Sequence, residues 1–122
     1  MTSSEKIKVA LLDDELLFRQ GLELIVSEAA NIEVVISCED GSCFFEQLAL
    51  LSELPDIVLL DIRMKPMDGF EVVERLSAEH PEIKTIVLSS YYEKAFFGHM
   101  VKLGVAAFLP YGQKRLSRNK MK

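Results

Sequence analysis

The sequence has 122 residues, of which 49% are hydrophobic and 27% are charged. A chain of this length and composition forms one globular domain and is too short for two independent cores, which excludes a multidomain enzyme. No run of about 18 apolar residues predicts a membrane span. The N-terminus lacks the basic and apolar regions of a signal peptide. We therefore expect a cytoplasmic protein without a membrane partner.

The net charge of −5 is distributed unevenly along the chain. Five basic residues lie near its end: Lys114, Arg115, Arg118, Lys120 and Lys122. Residues 1–113 therefore carry −10, and so acidic a body argues against direct nucleic-acid binding, which depends on Lys and Arg contacts with phosphates. We expect one domain over residues 1–122, with a core over 6–112 and a basic tail over 113–122.

Cys38 and Cys43 are the two cysteines of the sequence. A single pair is a poor disulfide framework, and together with His80 and His99 the cysteines give no zinc-site spacing. We expect both cysteines to be free thiols with a structural role.

Short runs that are apolar at every position predict the strands. The runs are Val9 to Leu12, Val34 to Ile36, Ile57 to Leu60 and Ile86 to Leu88, with a fifth candidate at Val105 to Leu109. Such runs are typical of parallel sheets covered by helices on both faces. Apolar residues at helical spacing lie between them, over Phe18 to Ala29, Phe44 to Leu51 and Tyr92 to Leu103. The pattern predicts an α/β fold, a doubly wound five-stranded parallel sheet with strand order 2-1-3-4-5 and a short or frayed last helix.

Acidic residues follow two of these strands. Asp13 and Asp14 come after the first strand, and Asp61 comes after the third. In the order 2-1-3-4-5 these strands are neighbours, so the three carboxylates would meet at the carboxyl edge of the sheet. They would repel one another unless a cation were present, and Mg²⁺ prefers carboxylate and water oxygens beside a phosphate. The cluster predicts a metal-assisted phosphoryl site.

A simpler interpretation of the same acids remains open. Asp13 or Asp14 would cap the following helix, and Asp61 would begin a polar loop. A flavin mononucleotide site is disfavoured, because adjacent acids after the first strand would repel its phosphate.

Four segments resemble the receiver domain of two-component response regulators, which has a CheY-like (flavodoxin-like) fold. They are Leu11 to Glu15, Leu59 to Met64 with Met67 to Gly69, Val87 to Ser90 and Gly104 to Leu109. Leu17 to Leu22 and Ile32 to Val35 are similar to the subfamily whose receivers precede a LuxR-type helix-turn-helix output domain. The resemblance covers residues 7 to about 112.

The resemblance implies a phosphoacceptor and its metal ligands. Asp61 would accept a phosphoryl group from a sensor histidine kinase. Asp14 and Asp61 would bind Mg²⁺ directly, Asp13 would bind it through water, and the backbone carbonyl of Arg63 would supply a further ligand.

The resemblance also implies a switch, with one departure from the family. Ser89 would hydrogen-bond a phosphoryl oxygen, and Phe108 matches the aromatic residue that moves with it. Tyr111 occupies the position of the family's strand-five lysine. A tyrosine hydroxyl can donate a hydrogen bond but lacks the ammonium charge, so we expect weaker phosphorylation or altered coupling.

The implied function is a non-enzymatic receiver, with at most slow loss of its phosphoryl group. A homodimer is a further expectation, and DNA would be bound only through an output domain absent from these residues. One alternative is a degenerate receiver that binds a protein partner independently of phosphorylation. Another is a hydrolase of the haloacid dehalogenase type, which needs an acid at position 63, where this chain has arginine.

Overall fold

The computed structural model describes residues 5–61, 66–89 and 94–110; within these ranges, the side chains of residues 66–68, 89, 94–97, 108 and 110 are not described. Strands and helices alternate in the order β1 (Ile7–Leu12), α1 (Leu16–Ser27), β2 (Ile32–Cys38), α2 (Gly41–Leu50), β3 (Ile57–Asp61), α3 (Pro66–Glu79), β4 (Lys84–Ser89), α4 (Lys94–Lys102) and β5 (Ala107–Pro110). This is the predicted alternation of strand and helix. No helix in these ranges is long and apolar enough to cross a membrane.

The five strands form one parallel sheet in the order β2-β1-β3-β4-β5, which confirms the predicted fold class. In the β1–β2 pairing the register shifts between Val9 and Ala10, so that Val35 is an extra residue on β2. Leu12 of β1 pairs with Leu60 of β3, and Asp61 pairs with Leu88 of β4. The carboxyl ends of the three central strands therefore lie side by side.

The continuous apolar runs are buried, as expected for strands covered by helices. Val9 to Leu12 of β1 are each at most 4% exposed. One cluster joins the strands to α2, α3 and α4: Ala10, Leu12, Ile36, Cys38, Phe44, Leu48, Val58, Leu60, Val72, Val73, Leu76, Ile83, Val87 and Met100. Helix α1 contributes no buried residue. This cluster anchors the strands whose carboxyl ends carry the acids.

Two glycines fix the ends of helices. A Cβ on Gly41, at the start of α2, would lie 2.9 Å from Cγ2 of Val72, so only glycine allows α2 to approach α3 this closely. Gly104 follows α4 with φ of 92°, a left-handed conformation that favours glycine. Because the Val105 N–H donates to the Met100 carbonyl at 3.3 Å, the chain is still completing the end of α4 there. Strand β5 consequently begins at Ala107, two residues later than the predicted Val105.

The predicted last helix and basic tail, residues 113–122, lie outside the described residues, and so do Tyr92 and the end of the predicted core at 112. The domain boundaries stay predictions.

The expectation of two free thiols is wrong. Cys38, the last residue of β2, and Cys43, in the first turn of α2, form a disulfide with their Cα atoms 5.9 Å apart. Side-chain capping brings them together: Oδ1 of Asp40 accepts a hydrogen bond from the Cys43 N–H at 2.9 Å, which starts α2 immediately after the strand. The spacing of the cysteines in sequence gave no sign of this tight turn.

Candidate functional site

Asp13 and Asp61 lie side by side at the carboxyl edge of the sheet. Leu12 pairs with Leu60, and each acid is the next residue along its chain. Asp13 is 2% exposed and Asp61 is 1% exposed. The sheet thus brings together two acids that are distant in sequence and removes both from water.

The two carboxylate oxygens of Asp13 have different surroundings. Oδ1 accepts a hydrogen bond from the backbone N–H of Glu15 at 2.8 Å. Oδ2 is buried and has no hydrogen-bond partner within the described part of the chain. A local turn from Asp13 to Glu15, just before α1, explains Oδ1 and leaves Oδ2 unexplained.

The pKa of Asp13 is raised from 3.8 to about 7, mainly by burial. The hydrogen bond from Glu15 opposes this shift, while the charge of Asp61, a contact between the two side chains and the charge of Asp14 contribute to it. Two carboxylates in a site with little water cannot both ionise without a large cost unless a positive charge is near. Near neutral pH the pair therefore retains a proton or attracts a cation.

The residues present fit a small divalent cation. A buried, unpartnered oxygen on Asp13 beside a second buried carboxyl group is an oxygen-ligand pair of the kind Mg²⁺ uses, with water completing its coordination. Over residues 5–61, 66–89 and 94–110, no three acidic, histidine or cysteine side chains are grouped to hold a metal by themselves. Among the described residues, the buried carboxylates that could hold a cation at this edge are those of Asp13 and Asp61.

Asp14, predicted to be a direct metal ligand, is exposed beside the buried pair. Helix α1 has Glu15 as its N-cap residue, without a side-chain cap, so neither Asp13 nor Asp14 occupies the cap position itself. Asp14 acts on the pair through its charge, since it contributes to the raised pKa of Asp13. Its role as a ligand stays a prediction.

The backbone of Asp13 is held from two sides. Its N–H donates to the carbonyl of Cys38 at 3.0 Å. Its carbonyl accepts from Nη1 of Arg19 at 2.6 Å, and Nε of the same arginine donates to Oγ of Ser37 at 3.1 Å. Arg19 thereby ties the end of β1 to the end of β2.

Sequence reasoning assigned no role to Arg19. A signal was available: a basic residue lies in the first turn of α1, beside the apolar stripe and close to the acids Asp13 and Asp14.

Of the other predicted site residues, the structure describes the backbone of Ser89 and Phe108. Ser89 is the last residue of β4, one position beyond the Leu88 that pairs with Asp61, so its backbone lies at the same edge. Phe108 lies in β5, paired with Val87. Arg63 and Tyr111 lie outside the described residues.

Comparison with known proteins gives the family. Residues 9–122 match the model of the response regulator receiver domain. The transcriptional regulatory protein DegU of Brevibacillus brevis is 32% identical over 107 residues, which are 88% of this chain and 44% of that protein. A protein-glutamate methylesterase/protein-glutamine glutaminase of Rhodopseudomonas palustris is 39% identical over 88 residues, 72% of this chain and 23% of that protein. The chain thus spans less than half the length of these relatives.

A solved structure gives the same result. The signal receiver domain of the response regulator NarL from Mycobacterium tuberculosis superposes with a TM-score of 0.77 at 28% identity, covering 96% of this chain and 94% of that one. The CheY-like fold and the resemblance to receivers of transcriptional regulators are therefore confirmed. The fold, the paired acids at its carboxyl edge and the match over residues 9–122 together show that the chain belongs to the response regulator receiver domain family.

Proposed function

We propose that Asp61 is the phosphoacceptor of this receiver and that Asp13, Asp14, Asp61 and the backbone carbonyl of Arg63 hold Mg²⁺ beside it. The observation that supports this most strongly is the buried pair of Asp13 and Asp61, with one carboxylate oxygen of Asp13 left without a partner. A core of apolar residues has no structural need for such a pair, since burying charged groups is costly.

The proposed reaction transfers a phosphoryl group from a phosphohistidine of a sensor kinase. A carboxylate oxygen of Asp61 attacks phosphorus, the bond between phosphorus and the histidine nitrogen breaks, and Asp61 becomes an acyl phosphate. Mg²⁺ held beside Asp61 would neutralise part of the negative charge on the transferring oxygens. Asp61, at the end of β3, is oriented by the strands on either side of it.

The proposed switch uses the neighbouring strands. The phosphorylated side chain carries more negative charge than the carboxylate, so a hydroxyl donor gains a stronger hydrogen bond to it. Ser89 supplies that hydroxyl from the end of β4, and Phe108 of β5 responds to its movement. Tyr111 in place of lysine weakens the contact with the phosphoryl group, because it brings no charge.

The proposed partners follow from the family and from the relatives. A sensor histidine kinase donates the phosphoryl group, and two receivers form a homodimer. DNA is bound through an output domain outside this chain, as the name of the DegU relative, a transcriptional regulatory protein, suggests. The methylesterase relative shows that some receivers are joined to enzymes, but for this chain we propose a cytoplasmic, non-enzymatic receiver.

The test is phosphorylation by acetyl phosphate with Mg²⁺, followed by mass spectrometry of the intact chain. We expect a mass increase of one phosphoryl group that requires Mg²⁺ and is absent in Asp61→Asn. Asp56→Asn, which alters an exposed aspartate at the opposite end of β3, is the control and should be phosphorylated like wild type. A phosphoryl adduct that persists in Asp61→Asn, or no adduct at any Mg²⁺ concentration, contradicts the proposal.

A further inference from the structure

The disulfide lies at the junction of β2 and α2, next to the acidic pair. Cys38 is buried and belongs to the core, whereas Cys43 is partly exposed. Sγ of Cys43 accepts a hydrogen bond from Nε2 of Gln47, an exposed side chain, at 3.6 Å. The sulfur that a small thiol or disulfide can reach from solvent is therefore that of Cys43.

Cys38, one of the two residues joined by this disulfide, contacts the site directly. The carbonyl of Cys38 accepts the hydrogen bond from the Asp13 N–H at 3.0 Å. The preceding residue, Ser37, is bound by Arg19, which also binds the Asp13 carbonyl. A displacement at the end of β2 therefore reaches the Asp13 backbone through both its N–H and its carbonyl.

We propose that Cys38 and Cys43 form a reversible redox-modification site whose disulfide strengthens cation binding at Asp13 and Asp61. This proposal rests on the proposed function of the acidic pair. The disulfide ties the last residue of β2 to the first turn of α2 and so restricts the carbonyl that orients Asp13. A cation site whose ligand is already held in position binds more tightly than one whose ligand must be ordered on binding.

The chemistry is thiol–disulfide exchange with a low-molecular-weight disulfide, for which we take glutathione disulfide. The thiolate of Cys43 attacks one sulfur of glutathione disulfide and releases one glutathione. The thiolate of Cys38 then attacks Sγ of Cys43 and releases the second. The two cysteines lose two electrons and two protons, and glutathione disulfide gains them as two thiols. A dithiol reductant restores both protein thiols by attacking the disulfide and is itself oxidised to a disulfide.

The cytoplasmic location proposed above favours a disulfide with a redox-sensing role over a purely structural one. In a compartment kept reducing, disulfides are usually transient and serve catalysis or redox sensing. The sequence has two cysteines, so any dependence on the ratio of thiol to disulfide in solution arises from this pair.

The first experiment measures the modification itself. The chain is equilibrated with mixtures of glutathione and glutathione disulfide, free thiols are alkylated, and the products are weighed by mass spectrometry. We expect an intramolecular disulfide that forms and reverses with the glutathione ratio. In Cys43→Ser, no intramolecular disulfide is possible. Wild-type chain that gives only glutathione adducts, or no disulfide at any ratio, overturns the proposal.

The second experiment measures coupling to the site. Mg²⁺ is titrated into oxidised and reduced protein, and binding is followed through the backbone amide resonances of Asp13 and Arg19. We expect these resonances to differ between the two redox states before Mg²⁺ is added. We expect the Mg²⁺ dissociation constant to rise about fivefold on reduction, within the usual range of couplings between sites.

Two variants show whether the change in Mg²⁺ affinity requires the disulfide. Cys43→Ser should show one Mg²⁺ affinity in both conditions, near that of the reduced chain, whereas Ser42→Ala, at an exposed neighbouring position, should keep the redox dependence. Equal Mg²⁺ affinity in both redox states of the wild type overturns the coupling and leaves the proposed function standing. Absence of Mg²⁺ binding in both states overturns the proposed function and the coupling with it.

Discussion

The two ends of the parallel sheet differ in the burial of their acidic residues. At the amino end, Nζ of Lys8 lies 3.0 Å from Glu53, and the Lys8 N–H donates to Oδ2 of Asp56 at 2.8 Å. Both of these acids are exposed. The hydrogen bond from Lys8 to Glu53, followed by the charge of Glu53, raises the pKa of Lys8. At the carboxyl end, Asp13 and Asp61 are buried together.

The charges at the amino end are paired with each other at the surface, whereas those at the carboxyl end are buried, as expected for a ligand site. Exposed ion pairs such as Lys8 with Glu53 contribute little to stability and are screened by salt. The carboxyl end leaves an oxygen of Asp13 without a hydrogen-bond partner among the described residues. Burying a charge in this way costs free energy, which a bound cation would offset. The molecule retains that cost at one end of the sheet, where ligand sites of doubly wound folds lie.

The largest expected difference between the two ends of the sheet is in how their acids make the free energy of unfolding depend on pH. In the folded chain the pKa of Asp13 is about 7, above its ordinary value of 3.8, so the folded state holds a proton that the unfolded state releases. The Asp13 contribution to the free energy of unfolding therefore falls as pH rises from about 4 to about 7, by up to about 4 kcal/mol, and then levels off.

Urea unfolding followed by circular dichroism, without divalent cations, measures this effect as the difference between wild type and Asp13→Asn. The advantage of the variant should grow with pH over that window and shrink when Mg²⁺ is added. A difference that is constant with pH would show that the Asp13 carboxyl is not held in its protonated form.

The next largest effect is expected on cation binding. Asp13→Asn removes the unpartnered carboxylate oxygen, and we expect Mg²⁺ affinity to fall by about tenfold to a hundredfold, as for other changes close to a bound metal. Asp56→Asn makes the same chemical change at the amino end and should leave the affinity unchanged. Calorimetric titration with MgCl₂ measures both, and equal losses in the two variants would mean that overall charge, rather than the buried pair, attracts the cation.

A smaller effect is expected at Arg19. Lysine cannot make both the contact with the Asp13 carbonyl and the contact with Ser37 Oγ, so Arg19→Lys should lower the free energy of unfolding by about 1–2 kcal/mol. Arg75→Lys is the matched control, because Arg75 is exposed. It pairs with Glu79 at 3.2 Å and its guanidinium lies 4.0 Å from the centre of the Phe45 ring; lysine can keep part of both contacts, so we expect a loss of less than about 1 kcal/mol. Chemical denaturation compares them, and a larger loss in Arg75→Lys would contradict the role given to Arg19.

Most of the fold could be predicted from the sequence because its strands are buried on both faces. Runs such as Val9 to Leu12 and Ile57 to Leu60 are apolar at every position, and the observed strands contain them. The start of β5 could not be placed, because Gly104 and Val105 complete the end of α4 through backbone conformation and one hydrogen bond. Apolar patterning does not record such local geometry.

The candidate site could be predicted in outline. Strand order brings Asp13 next to Asp61, which follows from topology alone. The exposure of Asp14 depends on how the chain turns into α1, and the Arg19 contacts depend on side-chain reach across the ends of two strands. The disulfide was missed for a similar reason: a spacing of five residues does not reveal that Asp40 turns the chain so tightly that Cys43 meets Cys38.

The function proposed for the carboxyl edge of the sheet requires a divalent cation at Asp13 and Asp61. Crystals grown with Mn²⁺ in place of Mg²⁺ would test this directly, since the anomalous signal of manganese locates the ion without reference to its ligands. We predict one strong peak at the carboxyl edge of the sheet, about 2.1 Å from a carboxylate oxygen of Asp61 and one water away from Asp13. A peak at another acidic cluster, or none in the presence of excess Mn²⁺, would contradict the account.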